Sequence, residues 1–169
     1  ARISDGQVFT MGLWQAPPKA RRGEWVAPRD DVNIRVREIF KQYLVVGFFA
    51  DPSHTREDGT LDRFWTPVVD EWHRDFGPRL LVWAQQNKHA VSFHMSNRHG
   101  EGKKFVQAAE QFIEDLENGD LWHDGHPELA RHVKNARRFP TQHGVSLMKD
   151  GPESPRNIDL AVCAVGARM

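Results

Sequence analysis

Residues 44–52 read Leu-Val-Val-Gly-Phe-Phe-Ala-Asp-Pro, an unbroken apolar run closed by a carboxylate and a proline. A continuous run, rather than an alternating one, suits a strand covered on both faces of a sheet. Pro52 has no amide hydrogen with which to extend a ladder, so the strand is expected to stop there. Asp51 then stands at the C-terminal mouth of a central strand, where open α/β sheets place their chemistry. A second carboxylate, Asp159, opens the last apolar segment, Asn157-Ile158-Asp159-Leu160-Ala161-Val162. Brought together, the two would hold a divalent metal, and their hard oxygen atoms suit Mg²⁺ or Mn²⁺.

The rest of the chain supplies the other layers. Val8, Phe9, Met11, Leu13 and Trp14 alternate loosely and predict a strand over 7–15. Pro17, Pro18 and Pro28 mark a loop over 16–28. Val32, Val36, Ile39, Phe40 and Tyr43 repeat at helical spacing behind Asp30 and Asp31, either of which suits a cap. Leu61, Phe64, Trp65, Val68, Val69, Trp72 and Phe76 form a second helical stripe. Pro67 inside it either kinks the helix or starts it behind a Thr66 cap. Residues 80–84 predict a short strand, and 85–100 a polar stretch carrying His89, His94 and His99. Phe105, Val106, Ala109, Phe112, Ile113 and Leu116 line one face of the clearest helix, over 103–118, which Gly119 ends. A helix over 127–138, a hairpin strand over 144–148 and a last helix over 158–167 complete the pattern. This order predicts one three-layer α/β domain.

Composition narrows the class. The chain has 169 residues, 39% apolar and 27% charged, enough to bury a core. Lys+Arg and Asp+Glu are both 23, so affinity for nucleic acid has to rest on local patches. Arg131, Lys134, Arg137 and Arg138 form one stretch free of acids; Arg98, Lys103 and Lys104 form another around Glu101. Either can face phosphates, or simply solvent. Cys163 is the only cysteine. It excludes an internal disulfide and a Cys-rich zinc site, and its neighbours Val162 and Ala164 predict a buried structural thiol. No apolar stretch approaches the roughly 20 residues that cross a bilayer, so no membrane partner is expected.

Each candidate also has an ordinary structural explanation. Asp51-Pro52-Ser53 is good turn chemistry, and an acid at the position of Asp159 is favoured by a helix dipole. His123 and His126 bracket turn residues, which suits a surface loop better than a zinc pair. His89, His94 and His99 match neither one helix face nor a tight metal loop. No glycine-rich phosphate loop with Lys-Ser/Thr is present.

The ordered set of Gly12-Leu13-Trp14, Trp25-Val26-Ala27-Pro28-Arg29, Ala50-Asp51-Pro52, His123-Asp124-Gly125, Arg131-His132-Val133-Lys134-Asn135-Ala136-Arg137-Arg138 and Ser154-Pro155-Arg156-Asn157-Ile158-Asp159 resembles the C-terminal nuclease domain of the large terminase subunit of tailed bacteriophages. The resemblance runs over nearly the whole chain, so residues 1–169 are expected to be one such nuclease-like domain. It implies an RNase H-like fold, a three-layer mixed sheet flanked by helices. In that family an acidic cluster binds two Mg²⁺ or Mn²⁺ ions and cuts concatemeric double-stranded DNA. Asp51 matches the acid that ends the fourth strand, and Asp159 the acid at the last helix. The family's first acid lies on a central first strand, upstream of the hairpin that here reads Ser4-Asp5-Gly6. The resemblance therefore implies an N-terminally truncated nuclease domain, without that strand and without the ATPase domain, that cuts poorly alone. Glu57 and Asp58 are the nearest substitutes for the third acid. Implied partners are double-stranded DNA, the terminase ATPase domain, the small terminase subunit and the portal, in the cytoplasm of the bacterial host cell.

Two readings compete with this one. A non-catalytic RNase H-like module would bind DNA or another packaging protein. A histidine-based metal hydrolase would need at least three imidazoles or carboxylates to converge.

Overall fold

The computed structural model describes residues 1–17, 25–52, 54–55, 61–62, 64–95, 100–151 and 154–169. In chain order its elements are α1 (Arg29–Gln42), β1 (His54–Thr55), β2 (Leu61–Asp62), α2 (Thr66–Phe76), a 3₁₀ turn (Gly77–Arg79), α3 (Glu101–Asn118), α4 (Pro127–Asn135), β3 (Arg137–Thr141), β4 (Gly144–Met148) and α5 (Asp159–Gly166). The architecture is mixed α/β. Among the described residues the ladders are the antiparallel pairs β1–β2 and β3–β4, with isolated parallel bridges elsewhere. The chain divides into two compact units, Met11–His94 and Ala1–Thr10 with Met95–Met169.

The Met11–His94 unit is built on aromatic packing. Asp30 and Asp31 lie in the first turn of α1 rather than at its cap, which is Pro28; there they complement the helix dipole. Pro67 sits in the first turn of α2, which begins at Thr66 behind Trp65, so Thr66 is the first helical residue rather than the cap and the proline does not kink the helix. Phe40 of α1 stacks on Phe76 of α2 at 3.9 Å between centroids, and Phe48 meets both Phe40 and Trp72. Trp72 is buried, and its indole N–H donates to Asn33 Oδ1 at 2.8 Å.

The apolar run behaves as a strand on one edge only. Val46 O accepts from Leu81 and Val82 N–H, and Ala50 exchanges bonds with Val91 O and Phe93 N–H, each at 2.9 Å. Both bridges, Gly47 to Val82 and Ala50 to Ser92, are parallel. Between them the neighbouring chain makes an excursion, closed by Ala84 N–H to Ala90 O and Gln85 N–H to His89 O. Asn87 turns that excursion at φ 61°, in the left-handed region asparagine tolerates. On the opposite edge, Gly47 and Phe49 make no backbone hydrogen bond among the described residues. This explains why full burial is not observed: residues 45–50 are half-buried, and Leu44 is 89% exposed. Residues 85–95 depart from expectation in the other sense. Ala90, Val91, Ser92 and Phe93 are buried, because their amides find partners inside the unit.

In the second unit, Phe105, Val106, Ala109 and Phe112 of α3 are buried together with Leu129 and His132 of α4 and Ala161, Ala164 and Val165 of α5. Gly119 ends α3 in the left-handed conformation at φ 78°. The strand expected over 7–15 is reduced to a parallel bridge between Val8 and His123. Asp124 braces it by accepting from Thr10 N–H at 2.7 Å. Cys163 is exposed, not buried: helical periodicity turns it away from Ala161, Ala164 and Val165, which sequence adjacency does not reveal.

The helix expected over 127–138 stops at Asn135, and Arg137 and Arg138 begin β3. β3 is the outer strand of the hairpin; β4 lies against α3, where Val145 N–H donates to Glu110 Oε1 at 3.0 Å. Gly144 turns the hairpin at φ 128°, and a Cβ there would strike the Glu110 carboxylate. Gly144→Ala is therefore expected to lower stability by about 1–3 kcal/mol through backbone strain. Urea denaturation of the variant checks this, and a change near zero would show that the turn relaxes.

Candidate functional site

Asp51 follows directly on the two bonds that fix Ala50 against Val91 and Phe93. It is exposed, and buried Pro52 follows it. It thus follows the second of two isolated parallel bridges, where the sequence predicts the end of a central strand covered on both faces.

Asp159 is the first residue of α5 and is exposed. No side chain of the cap residue, Ile158, serves that helix. Instead, α4 reaches across. The wholly buried imidazole of His132 accepts from Leu160 N–H through Nδ1 at 3.0 Å, and Asn135 Nδ2 donates to Asn157 O at 3.0 Å. The turn that presents Asp159 is thus held by two side chains of one neighbouring helix. Burial keeps His132 below the ordinary histidine range, against the opposing pull of the Asp159 carboxylate. An accepting Nδ1 requires the neutral ring, so the burial and the hydrogen bond agree.

Asp51 belongs to the Met11–His94 unit and Asp159 to the other. Among the described residues no group of three His, Cys, Asp or Glu side chains is gathered to hold a metal. Two carboxylates have the right donor chemistry for Mg²⁺ or Mn²⁺, but they are not a complete ligand set. His126 accepts from Glu128 N–H at the start of α4, and His123 accepts from Gly125 N–H at 3.0 Å. Both rings are used as local caps. His99, Glu57, Asp58 and Arg98 lie outside the described residues.

The candidate basic residues all belong to one unit. Lys103 and Lys104 are exposed in the first turn of α3, and Lys134 is exposed on α4. Arg131 pairs with Glu128, Arg138 with Glu117, and Arg137 Nε with Asp150 Oδ1 at 2.6 Å. Arg156 adds a second cation on Asp150 at 2.8 Å. Such exposed pairs are each worth about 0–1 kcal/mol, so phosphates can displace the carboxylates at little cost. Placing Arg137 and Arg138 on β3 also brings in Phe139, which is 46% exposed beside them. Sequence reasoning missed this aromatic, and it missed the roles of His132 and Asn135.

Two curated bacteriophage proteins are similar to this chain. The Gene 13 proteins of Mycobacterium phage L5 and Mycobacterium phage D29 are each 36% identical to it over 172 residues, covering 99% of the chain. The chain spans 26% of the length of each relative. No protein-family model matches the chain, and no solved structure matches it. Among the described residues no helix is long and apolar enough to cross a membrane. The chain is thus similar, along nearly its whole length, to about a quarter of a longer phage protein.

Proposed function

We propose that this stretch is the nuclease part of a phage DNA-packaging terminase, RNase H-like in fold, cutting concatemeric double-stranded DNA with Mg²⁺ or Mn²⁺. The observation that carries the reading is the strand end at Asp51. A parallel run with a carboxylate at its mouth has one edge paired and the other, at Gly47 and Phe49, open among the described residues. One more strand fits that edge, and the resemblance supplies one, with a third acid on it. The length of the phage relatives leaves room for an ATPase domain. On this reading the partners are DNA, that ATPase domain, the small terminase subunit and the portal, in the host cytoplasm. The basic residues Arg131, Lys134, Arg137, Arg138, Lys103 and Lys104 meet phosphates.

Plasmid nicking tests it. The full-length protein is expected to nick with Mn²⁺ and to stop on chelation, while residues 1–169 alone nick poorly. A full-length protein that binds DNA without nicking would favour a non-catalytic module, for which the exposed Arg137, Arg138 and Phe139 are the specific support. DNA binding should be salt-sensitive, with a slope of log affinity against log salt of roughly −0.9 per phosphate neutralised. Reversing Arg131, Lys134, Arg137 and Arg138 to Glu is expected to flatten that slope. An unchanged slope would remove these residues from the interface.

A further inference from the structure

Three consecutive amides of the Met11–His94 unit donate to imidazole nitrogens instead of carbonyl oxygens. Ala90 N–H donates to His73 Nδ1 at 3.1 Å; Val91 and Ser92 N–H donate to His89 Nδ1 at 3.1 and 2.9 Å. Ala90 and Val91 have no exposed surface and Ser92 has 6%, so water does not replace these acceptors. A ring nitrogen that accepts carries no proton, so both rings are neutral with the proton on Nε2. The Nε2–H of His89 faces Asp70 Oδ1 at 3.2 Å. The two rings lie 4.2 Å apart, tilted by 31°, and the edge of Trp83 closes over His73. Gly77 leaves the space: a Cβ there would come within 3.0 Å of His73 Nδ1.

We propose that His73 and His89 form an acid-sensitive latch that fastens residues 90–92 to α2 and, through them, the strand end carrying Asp51. The connection is direct, because Val91 O and Phe93 N–H are the groups that hold Ala50. Protonating either ring at Nδ1 turns an acceptor into a donor that faces a buried donor. The amide is then left unpaired, and two stacked imidazolium rings repel.

The groups around the pair act in both directions. Burial is the largest influence on His89 and holds it below the ordinary histidine range. Asp70 on α2 opposes it, and His73 and His94 reinforce it. The remaining acids of α2, Glu71 and Asp75, are held by Arg37 of α1. The closed latch binds the neutral ring, so the open form takes up more protons. Closure is at full strength above the ordinary histidine value of about 6.5 and weakens as pH falls from there towards the depressed value. This device does not depend on whether Asp51 takes part in cleavage.

Amide hydrogen exchange in the intact chain tests the latch, using protection factors that divide out the intrinsic pH dependence of exchange. Between about pH 7.5 and about pH 5, Ala90, Val91 and Ser92 should lose about tenfold in protection, the effect of one buried hydrogen bond. Ala109 and Phe112 of α3 should keep theirs. His73→Asn with His89→Asn places a non-titrating acceptor near each Nδ1 and is expected to abolish the pH response. A second measurement, long-range nitrogen NMR on the unaltered chain, needs no variant. Both rings should carry their proton on Nε2 at neutral pH, and His89 should gain its second in step with the loss of protection. Protection independent of pH, a response surviving in the Asn variants, or rings protonated on Nδ1 at neutral pH would each overturn the proposal.

Discussion

On the proposed nuclease reading, Asp51→Asn and Asp159→Asn, each made in a longer chain that carries this stretch, are expected to lower metal-dependent plasmid cleavage at least about a hundredfold. A bound divalent ion contributes several kcal/mol of charge stabilisation in phosphodiester hydrolysis, and each 1.36 kcal/mol is about tenfold in rate. The amide keeps the shape of the carboxylate and loses the charge that attracts the ion. Both side chains are exposed, so stability should change by no more than about 1 kcal/mol. For Asp159 that change is the lost interaction with the helix dipole. The discriminating result is therefore lost cleavage with an unaltered melting curve. Cleavage that survives both substitutions would sink the nuclease assignment for these residues, whatever the fold.

Trp72→Ala carries the largest expected cost in stability, about 3–5 kcal/mol. Trp72 is 3% exposed, touches the Phe48 ring and donates to Asn33. Its removal opens a cavity between α1, α2 and the strand, and leaves the Asn33 acceptor to find another donor. A loss of that size is a large part of the roughly 5–15 kcal/mol that a domain possesses. Trp72→Phe should cost less, since it keeps most of the ring contact and forfeits only the indole hydrogen bond and part of the volume. Urea denaturation followed at the amides of Val68 and Val69 gives the comparison. A cost below about 1 kcal/mol for the alanine variant would mean that the aromatic cluster is not the centre of this unit.

Local chemistry made several elements legible. The stripe on α3 and its glycine stop are fully local signals, and so are the apolar spacing of α1 and the proline start of α2. Asp51 was visible because Pro52 ends any strand, and Asp159 because an acid opens an apolar helix. What stayed hidden depends on contacts between distant segments. Nothing around Ala136-Arg137-Arg138-Phe139-Pro140 reads as a strand; its pairing with β4 makes it one. Residues 90–93 look like part of a polar loop until imidazoles from α2 and from the turn satisfy the amides of 90–92 and Ala50 O that of Phe93. His132 reads as an inward residue of a helix, but its use as the cap of a different helix exists only in the packing of α4 on α5. The half-burial of 45–50 follows from pairing on a single edge, which no run of apolar letters reveals.

The guanidinium of Arg168 donates to Gly6 O across 162 residues of chain and pairs with Asp115 of α3. One compact unit is thus stitched from both ends of the stretch, and the residues of the other lie between them in the sequence. Synthesis on a ribosome treats the two differently. Residues 11–94 emerge as one uninterrupted run and have all their own partners as soon as that run is out. Residues 1–10 emerge before that run and wait longer, since neither His123 nor Arg168 has yet been made. Because pairing over long sequence separations is slow, residues 1–10 are made before the residues 11–94 that follow them and settle after them.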